Sequence, residues 1–89
     1  MIKDWLQRKA TVAEFEVAHM VTDERLGPEP VPFGFMSKQW RALLEQMKPG
    51  DELWEFCSPP HSWAIRCGHA GVALVRNGKV LGEVITRVN

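Results

Sequence analysis

Long apolar runs are missing from this sequence. The longest one near the C-terminus, residues 72–75, has the length of a strand, whereas a membrane-spanning helix needs about 20 apolar residues. The opening stretch MIKDWLQRKA also lacks the apolar centre of a secretory signal peptide. We therefore expect a cytoplasmic protein without a membrane partner. Cytosolic thiols stay reduced, which argues against a disulfide between Cys57 and Cys67, the two cysteines of the chain.

A basic excess is also missing, since 11 Lys and Arg balance 11 Asp and Glu. Proteins that bind nucleic acid through its phosphates usually carry such an excess, so we expect no nucleic-acid partner. The charge is nevertheless uneven. Residues 1–57 hold seven basic and ten acidic side chains, and residues 58–89 hold four basic side chains and one acidic. The basic end could attract an acidic partner or the acidic end of another copy.

The length of 89 residues allows one modest hydrophobic core, because so short a chain buries only about 60% of the surface it exposes when unfolded. We predict a single α+β domain over residues 1–89. Its N-terminal helical part covers about 1–48, and a β-meander covers about 51–88.

Capping signals mark the N-terminal helices. Asp4 predicts a short helix over residues 5–9, and the box from Thr11 to Glu14 predicts a second over about 12–20. Phe15 and Val17 also fit strand alternation, so a strand at 12–20 remains the alternative.

A proline-rich segment and a third helix follow. Prolines at 28, 30 and 32 indicate an extended loop or edge that packs Phe33 and Phe35 onto the core; the alternative is a strip that docks into a partner's groove. Ser37 then caps an amphipathic helix that ends at Pro49-Gly50. Its apolar stripe consists of Trp40, Leu43, Leu44 and Met47.

The remaining sequence predicts a three-stranded antiparallel β-meander. Its strands are residues 52–57, 71–76 and 79–88, and Asn77-Gly78 predicts a type I′ turn between the last two. A two-residue turn pairs Val75 with Val80 and Leu74 with Leu81. This register gives one face of small apolar residues, including Gly71 and Ala73, on which we place the Trp40 helix. The other face has an apolar centre and charged margins; either the N-terminal helix covers it or it is a patch for a partner.

The phrases GDELWEF at 50–56, SPP with SW at 58–63 and GVALVRNGKV at 71–80 resemble a group of small uncharacterised bacterial proteins. The resemblance is clearest from about Met47 onward. It implies a bacterial, cytosolic, single-domain protein, and it carries no established activity and no catalytic residue.

The segment CSPPHSWAIRCGH at 57–69 is the richest in reactive side chains. Cys57, His61, Cys67 and His69 are all competent zinc ligands, and four is the number that a structural site needs. The spacing C-x3-H-x5-C-x-H is not a usual zinc pattern, and Pro59-Pro60 favours an extended connection that separates residues 57 and 61. For the same reason a nucleophilic pair of Cys57 or Ser58 with His61 is disfavoured.

Tryptophan is abundant although tyrosine is absent. We expect Trp40 and Trp54 to belong to the core, while Trp63 has the best claim to an exposed role. The candidate binding residues are Trp63, Arg66, His61, His69 and Glu83.

These patterns favour a non-enzymatic interaction module that binds a protein partner or itself, as a homo-oligomer. No residue is assigned a catalytic role, and no cofactor is required. The alternative is a small zinc-binding or hydrolytic protein that uses the segment 57–69.

Overall fold

The main sheet has four antiparallel strands, one more than the sequence predicts. The computed structural model describes residues 2–89. It has three helices, α1 (Val12–Ala18), α2 (Ser37–Glu45) and α3 (Pro60–Ala64). The strands are β1 (Leu6–Ala10), β2 (Met20–Val21), β3 (Val31–Pro32), β4 (Glu52–Cys57), β5 (His69–Arg76) and β6 (Lys79–Val88). The sheet order is β1-β4-β5-β6, and β2 pairs with β3 in a separate two-stranded ribbon.

The helix predicted over residues 5–9 is wrong. Ile2–Trp5 is a single 3-10 turn, and the next five residues form β1, which lies antiparallel to β4. Arg8 Nε donates to Glu55 Oε2 and Lys9 Nζ to Glu52 Oε2, each at 3.1 Å. Pairing with β4 therefore outweighs the weak local cap at Asp4, as tertiary contacts often do for short helices.

The helix predicted from about residue 12 is confirmed, with its end at Ala18 rather than residue 20. Thr11 Oγ1 accepts from Glu14 N at 3.1 Å, and Glu14 Oε1 accepts from Thr11 N at 3.0 Å. This reciprocal capping box satisfies two backbone donors that a helix start leaves open. Phe15 is buried against the sheet.

Helix α2 supplies the centre of the main core. Trp40 and Leu43 are buried, and the indole Nε1 of Trp40 donates to Glu16 Oε2 at 2.8 Å, so the large ring loses no hydrogen bond by burial. Ser37 is the first helical residue and not the cap; the cap position belongs to Met36, which makes no side-chain hydrogen bond there.

The β5–β6 hairpin confirms the predicted turn but only the start of the predicted register. Asn77 and Gly78 have φ of 52° and 78°, as a type I′ turn requires, and Val75 pairs with Val80. A bulge then intervenes, so that Leu74 pairs with Gly82 instead of Leu81.

The bulge changes the face on which α2 lies. Because one extra residue moves the following side chains to the other side, Gly82 and Val84 join the face of Val72 and Leu74. Helix α2 packs there, and a Cβ on Gly82 would lie 3.1 Å from Leu43 Cδ1. The prediction that α2 covers the Gly71 and Ala73 face is therefore wrong. The buried core on the α2 side is Phe15, Phe33, Trp40, Leu43, Leu53, Val72, Leu74 and Val84.

The second sheet face has its own small core. Phe56, Ala73 and Val75 are buried there beneath partly exposed side chains that include Trp5 and Trp54. The cover therefore comes from the N-terminal 3-10 turn, the sheet's own side chains and the start of β1, not from a helix. Trp54 is only partly buried, which is less than the predicted core position.

An ion pair joins the residue before β4 to the last residue of β5. The Arg76 guanidinium donates to both carboxylate oxygens of Asp51 at 2.8 Å, and the Asp51 side chain is almost fully buried. These hydrogen bonds, with that from Lys48 N, hold the pKa of Asp51 at about 2. No helix within residues 2–89 is long and apolar enough to cross a membrane.

Candidate interaction surfaces

The segment 57–69 is closed on itself by hydrogen bonds. It contains α3, which begins at Pro60, so the predicted extended connection is wrong; proline suits a first helical turn because no backbone donor is needed there. Ser58 N donates to His69 O at 2.9 Å, and the Ser58 hydroxyl accepts from His69 N at 3.0 Å and from Ser62 Oγ at 2.7 Å. The buried Ser58 hydroxyl thus joins α3 to the start of β5.

Trp63 folds back onto this closure. Its Nε1 donates to Ser58 O at 3.2 Å, and its ring lies so close to Gly68 that an added Cβ would be 2.2 Å from Cδ2. The Arg87 guanidinium stands 4.9 Å from the ring centroid. Asn89 Oδ1 accepts from Gly68 N at 2.9 Å, and Asn89 Nδ2 donates to Trp63 O. The ring and its neighbours therefore act as scaffolding.

The four candidate zinc ligands do not converge. Cys57 is half-buried and Cys67 exposed, both as free thiols; His61 is exposed, and the His69 ring meets Trp5 edge-on at 4.8 Å. Across residues 2–89, no group of three or more His, Cys, Asp or Glu side chains is arranged to hold a metal ion. The Ser58 hydroxyl is hydrogen-bonded to Ser62 Oγ and His69 N, and not to His61.

The five candidate binding residues fall into two places. His69 and Glu83 lie on the second sheet face, where Glu83 is paired with Ala73. His61, Trp63 and Arg66 lie on or directly after α3. Arg66 is exposed and has a φ of 62°, at the left-handed turn that ends the helix.

The segment after the prolines exposes an aromatic ring that we expected in the core. Phe33 and Gly34 both adopt left-handed backbone, with φ of 62° and 54°. This reversal places Phe33 inside, with its ring centroid 4.2 Å from that of Trp40, and leaves Phe35 outside. A Cβ on Gly34 would lie 2.9 Å from Val21, so only glycine lets the β2–β3 ribbon approach the turn.

Phe35 belongs to an apolar surface that periodicity did not reveal. We call it the hairpin surface because it includes strand β2 of the β2–β3 ribbon; it is not part of the β5–β6 hairpin. Its members Val17, Met20, Val21 and Phe35 are 75%, 43%, 36% and 61% exposed. Beside it lies a cleft of about 290 Å³ whose lining includes Met20, Val21 and Met36. Large apolar side chains grouped around a cleft are typical of a docking site, and methionines suit such sites because they adapt their shape.

The hairpin surface lies in the most acidic part of the chain. Residues 10–37 contain five carboxylates and one basic side chain, Arg25. The Arg25 guanidinium is bound to Asp23 Oδ2 at 2.8 Å and stands 5.0 Å from the Phe35 ring centroid. Glu24 and Glu29 belong to the same segment of the sequence, and both are exposed.

A second exposed apolar group is basic. We call it the C-terminal surface, and it consists of Ile65, which is 67% exposed, with Arg66 and Arg87. Its two parts, Arg87 on β6 and the pair Ile65 and Arg66 after α3, are connected through Trp63 of α3, on which the Arg87 guanidinium stacks.

His19 and Thr86 lie between the two surfaces. Both residues line the cleft beside Met20 and a second cleft of about 280 Å³ that reaches Arg87 and Glu55. Burial lowers the pKa of His19, and the charge of Glu55 opposes this effect. His19 is not among the candidate residues predicted from the sequence, because the clefts arise from tertiary packing.

The architecture is thus an α+β domain with an acidic and a basic apolar surface. Comparison with protein-family models, with curated proteins and with solved structures found no match.

Proposed function

We propose that this chain is a non-enzymatic protein-interaction module that docks its partner on the hairpin surface. The observation that carries the proposal is the exposure of four large apolar side chains, Val17, Met20, Val21 and Phe35, of which Met20 and Val21 line a cleft. Single exposed apolar residues are ordinary on a protein surface. A group of them is typical of a docking site, and here the left-handed backbone also directs an aromatic ring outward.

Energetics favour the same proposal. Phe35 buries too little of its ring to contribute much to folding, whereas Phe33, two residues earlier, is stacked in the core. In a complex, a newly buried aromatic side chain can contribute on the order of 2 kcal/mol. We therefore expect the variant Phe35→Ser to keep its free energy of unfolding within about 0.5 kcal/mol.

The experiment uses a photo-crosslinking amino acid at position 35 of the full chain, in the cells that produce it. Position 42, on the exposed side of α2, serves as the control. The supporting result is an adduct at position 35 alone, to the chain itself or to a protein whose purified form binds this chain and loses binding with Phe35→Ser. Equal adducts at both positions, or none at position 35, would contradict the proposal.

A further inference from the structure

We infer that the occupant of the hairpin surface is the C-terminal surface of a second copy, in a twofold-symmetric dimer. This inference rests on the proposed docking role of the hairpin surface. In an isologous dimer the hairpin surface of each copy meets the C-terminal surface of the other, so both contacts form twice.

Charge complementarity is the first argument. Residues 10–37, which contain the hairpin surface, hold five carboxylates and one basic side chain, and the C-terminal surface presents Arg66 and Arg87 beside Ile65. Each surface therefore combines exposed apolar side chains with a charge that the other can satisfy. The whole chain has a net charge of zero, so two copies approach without long-range repulsion.

Exposed area is the second argument. A monomeric globular protein of 10.1 kDa is expected to expose about 5,300 Å², whereas this chain exposes 6016 Å². Its radius of gyration of 13.5 Å also exceeds the roughly 12 Å expected for 89 residues. The surplus of about 700 Å² is close to the roughly 800 Å² that each partner contributes to a standard interface.

The position of Thr86 is the third argument. Thr86 lines the cleft beside Met20, and both Thr86 and Arg87 line the neighbouring cleft. The hairpin and C-terminal surfaces are therefore neighbours on one side of the molecule, as a single twofold axis near Thr86 requires.

Two single charge reversals test the inference. Arg66→Glu changes the C-terminal surface and Glu24→Arg the surroundings of the hairpin surface; both side chains are exposed, and neither forms a hydrogen bond seen among residues 2–89. Each variant alone should weaken the dimer at least tenfold, because a repulsive contact then occurs twice. In an equimolar mixture, the mixed dimer has one native and one doubly reversed contact, so its affinity should return to near that of the wild type.

Sedimentation equilibrium from about 1 µM to 1 mM, at low salt, measures these affinities, and circular dichroism checks the fold of each variant. The matched control is Lys79→Glu, which reverses an exposed charge about 27 Å along β6 from Arg87 and should leave the dimer unchanged. A monomer throughout the range, an open-ended series of larger species, or a mixture that fails to recover would overturn the inference. A monomer that still forms Phe35-dependent complexes with another protein would overturn only the dimer and leave the proposed function standing.

Discussion

Adding one methyl group at Gly68 tests the structural role of the segment 57–69. In Gly68→Ala the new Cβ would lie 2.2 Å from Trp63 Cδ2, so the ring must move. Overpacking of this kind costs about 1–3 kcal/mol, and losing the hydrogen bond from Trp63 Nε1 to Ser58 O costs about 1 kcal/mol more. The smaller conformational freedom of alanine in the unfolded chain returns up to about 1 kcal/mol.

We therefore expect Gly68→Ala to lower the free energy of unfolding by about 1–4 kcal/mol. This is a large part of the roughly 5–15 kcal/mol that stabilises a small domain. Urea unfolding followed by circular dichroism measures the loss, with an unchanged slope against denaturant showing that the unfolded state is comparable.

The control is the same change in a Trp63→Ala background. Without the ring there is nothing for the new Cβ to displace, so Gly68→Ala should cost less than about 0.5 kcal/mol there. An equal cost in both backgrounds, or no cost in the wild type, would refute the packing of Trp63 on Gly68 as the reason for the glycine.

Three further changes probe stability. Ser58→Ala removes the acceptor of His69 N, and it should cost about 1–3 kcal/mol in urea unfolding because a partly buried donor loses its partner. The pKa of Asp51, held at about 2 by Arg76, lies below its unfolded value, so its stabilisation is present above about pH 4 and disappears as the pH falls towards 2; Asp51→Asn should be less stable at pH 7 and nearly flat across that acidic window. The pKa of His19 is lowered by burial, so the folded state favours the neutral ring and stability should fall as the pH drops below about 6.5; urea midpoints of His19→Gln should show a shallower decline.

Local signals predicted the elements whose geometry is fixed within a few residues. The Thr11–Glu14 box gave α1, the Trp40 stripe gave α2, and Asn77-Gly78 gave the hairpin turn, because caps, periodicity and left-handed turns act over short distances.

Long-range pairing escaped prediction. Residues 6–10 become a strand because β4 lies beside them, and a bulge after Val80 moves Gly82 and Val84 to the other face. Neither event has a local sequence signal, since a bulge depends on two strands at once.

The candidate surfaces were harder to predict from the sequence than the fold. Trp63 was singled out as an exposed aromatic residue, yet its ring is held against Gly68. Phe35 was expected to pack but is exposed, because the left-handed backbone at Phe33 and Gly34 decides which ring points inward. A phenylalanine with positive φ is rare, so the sequence gives no reason to expect it.

The most direct test of the central claim is sedimentation equilibrium of the wild-type chain beside Phe35→Ser. A hairpin surface that docks a second copy predicts a reversible monomer–dimer equilibrium for the wild type and a dissociation constant at least tenfold higher for Phe35→Ser, whose unfolding free energy stays the same. A dimer of equal strength in both proteins would contradict the claim, because the interface would then lie elsewhere.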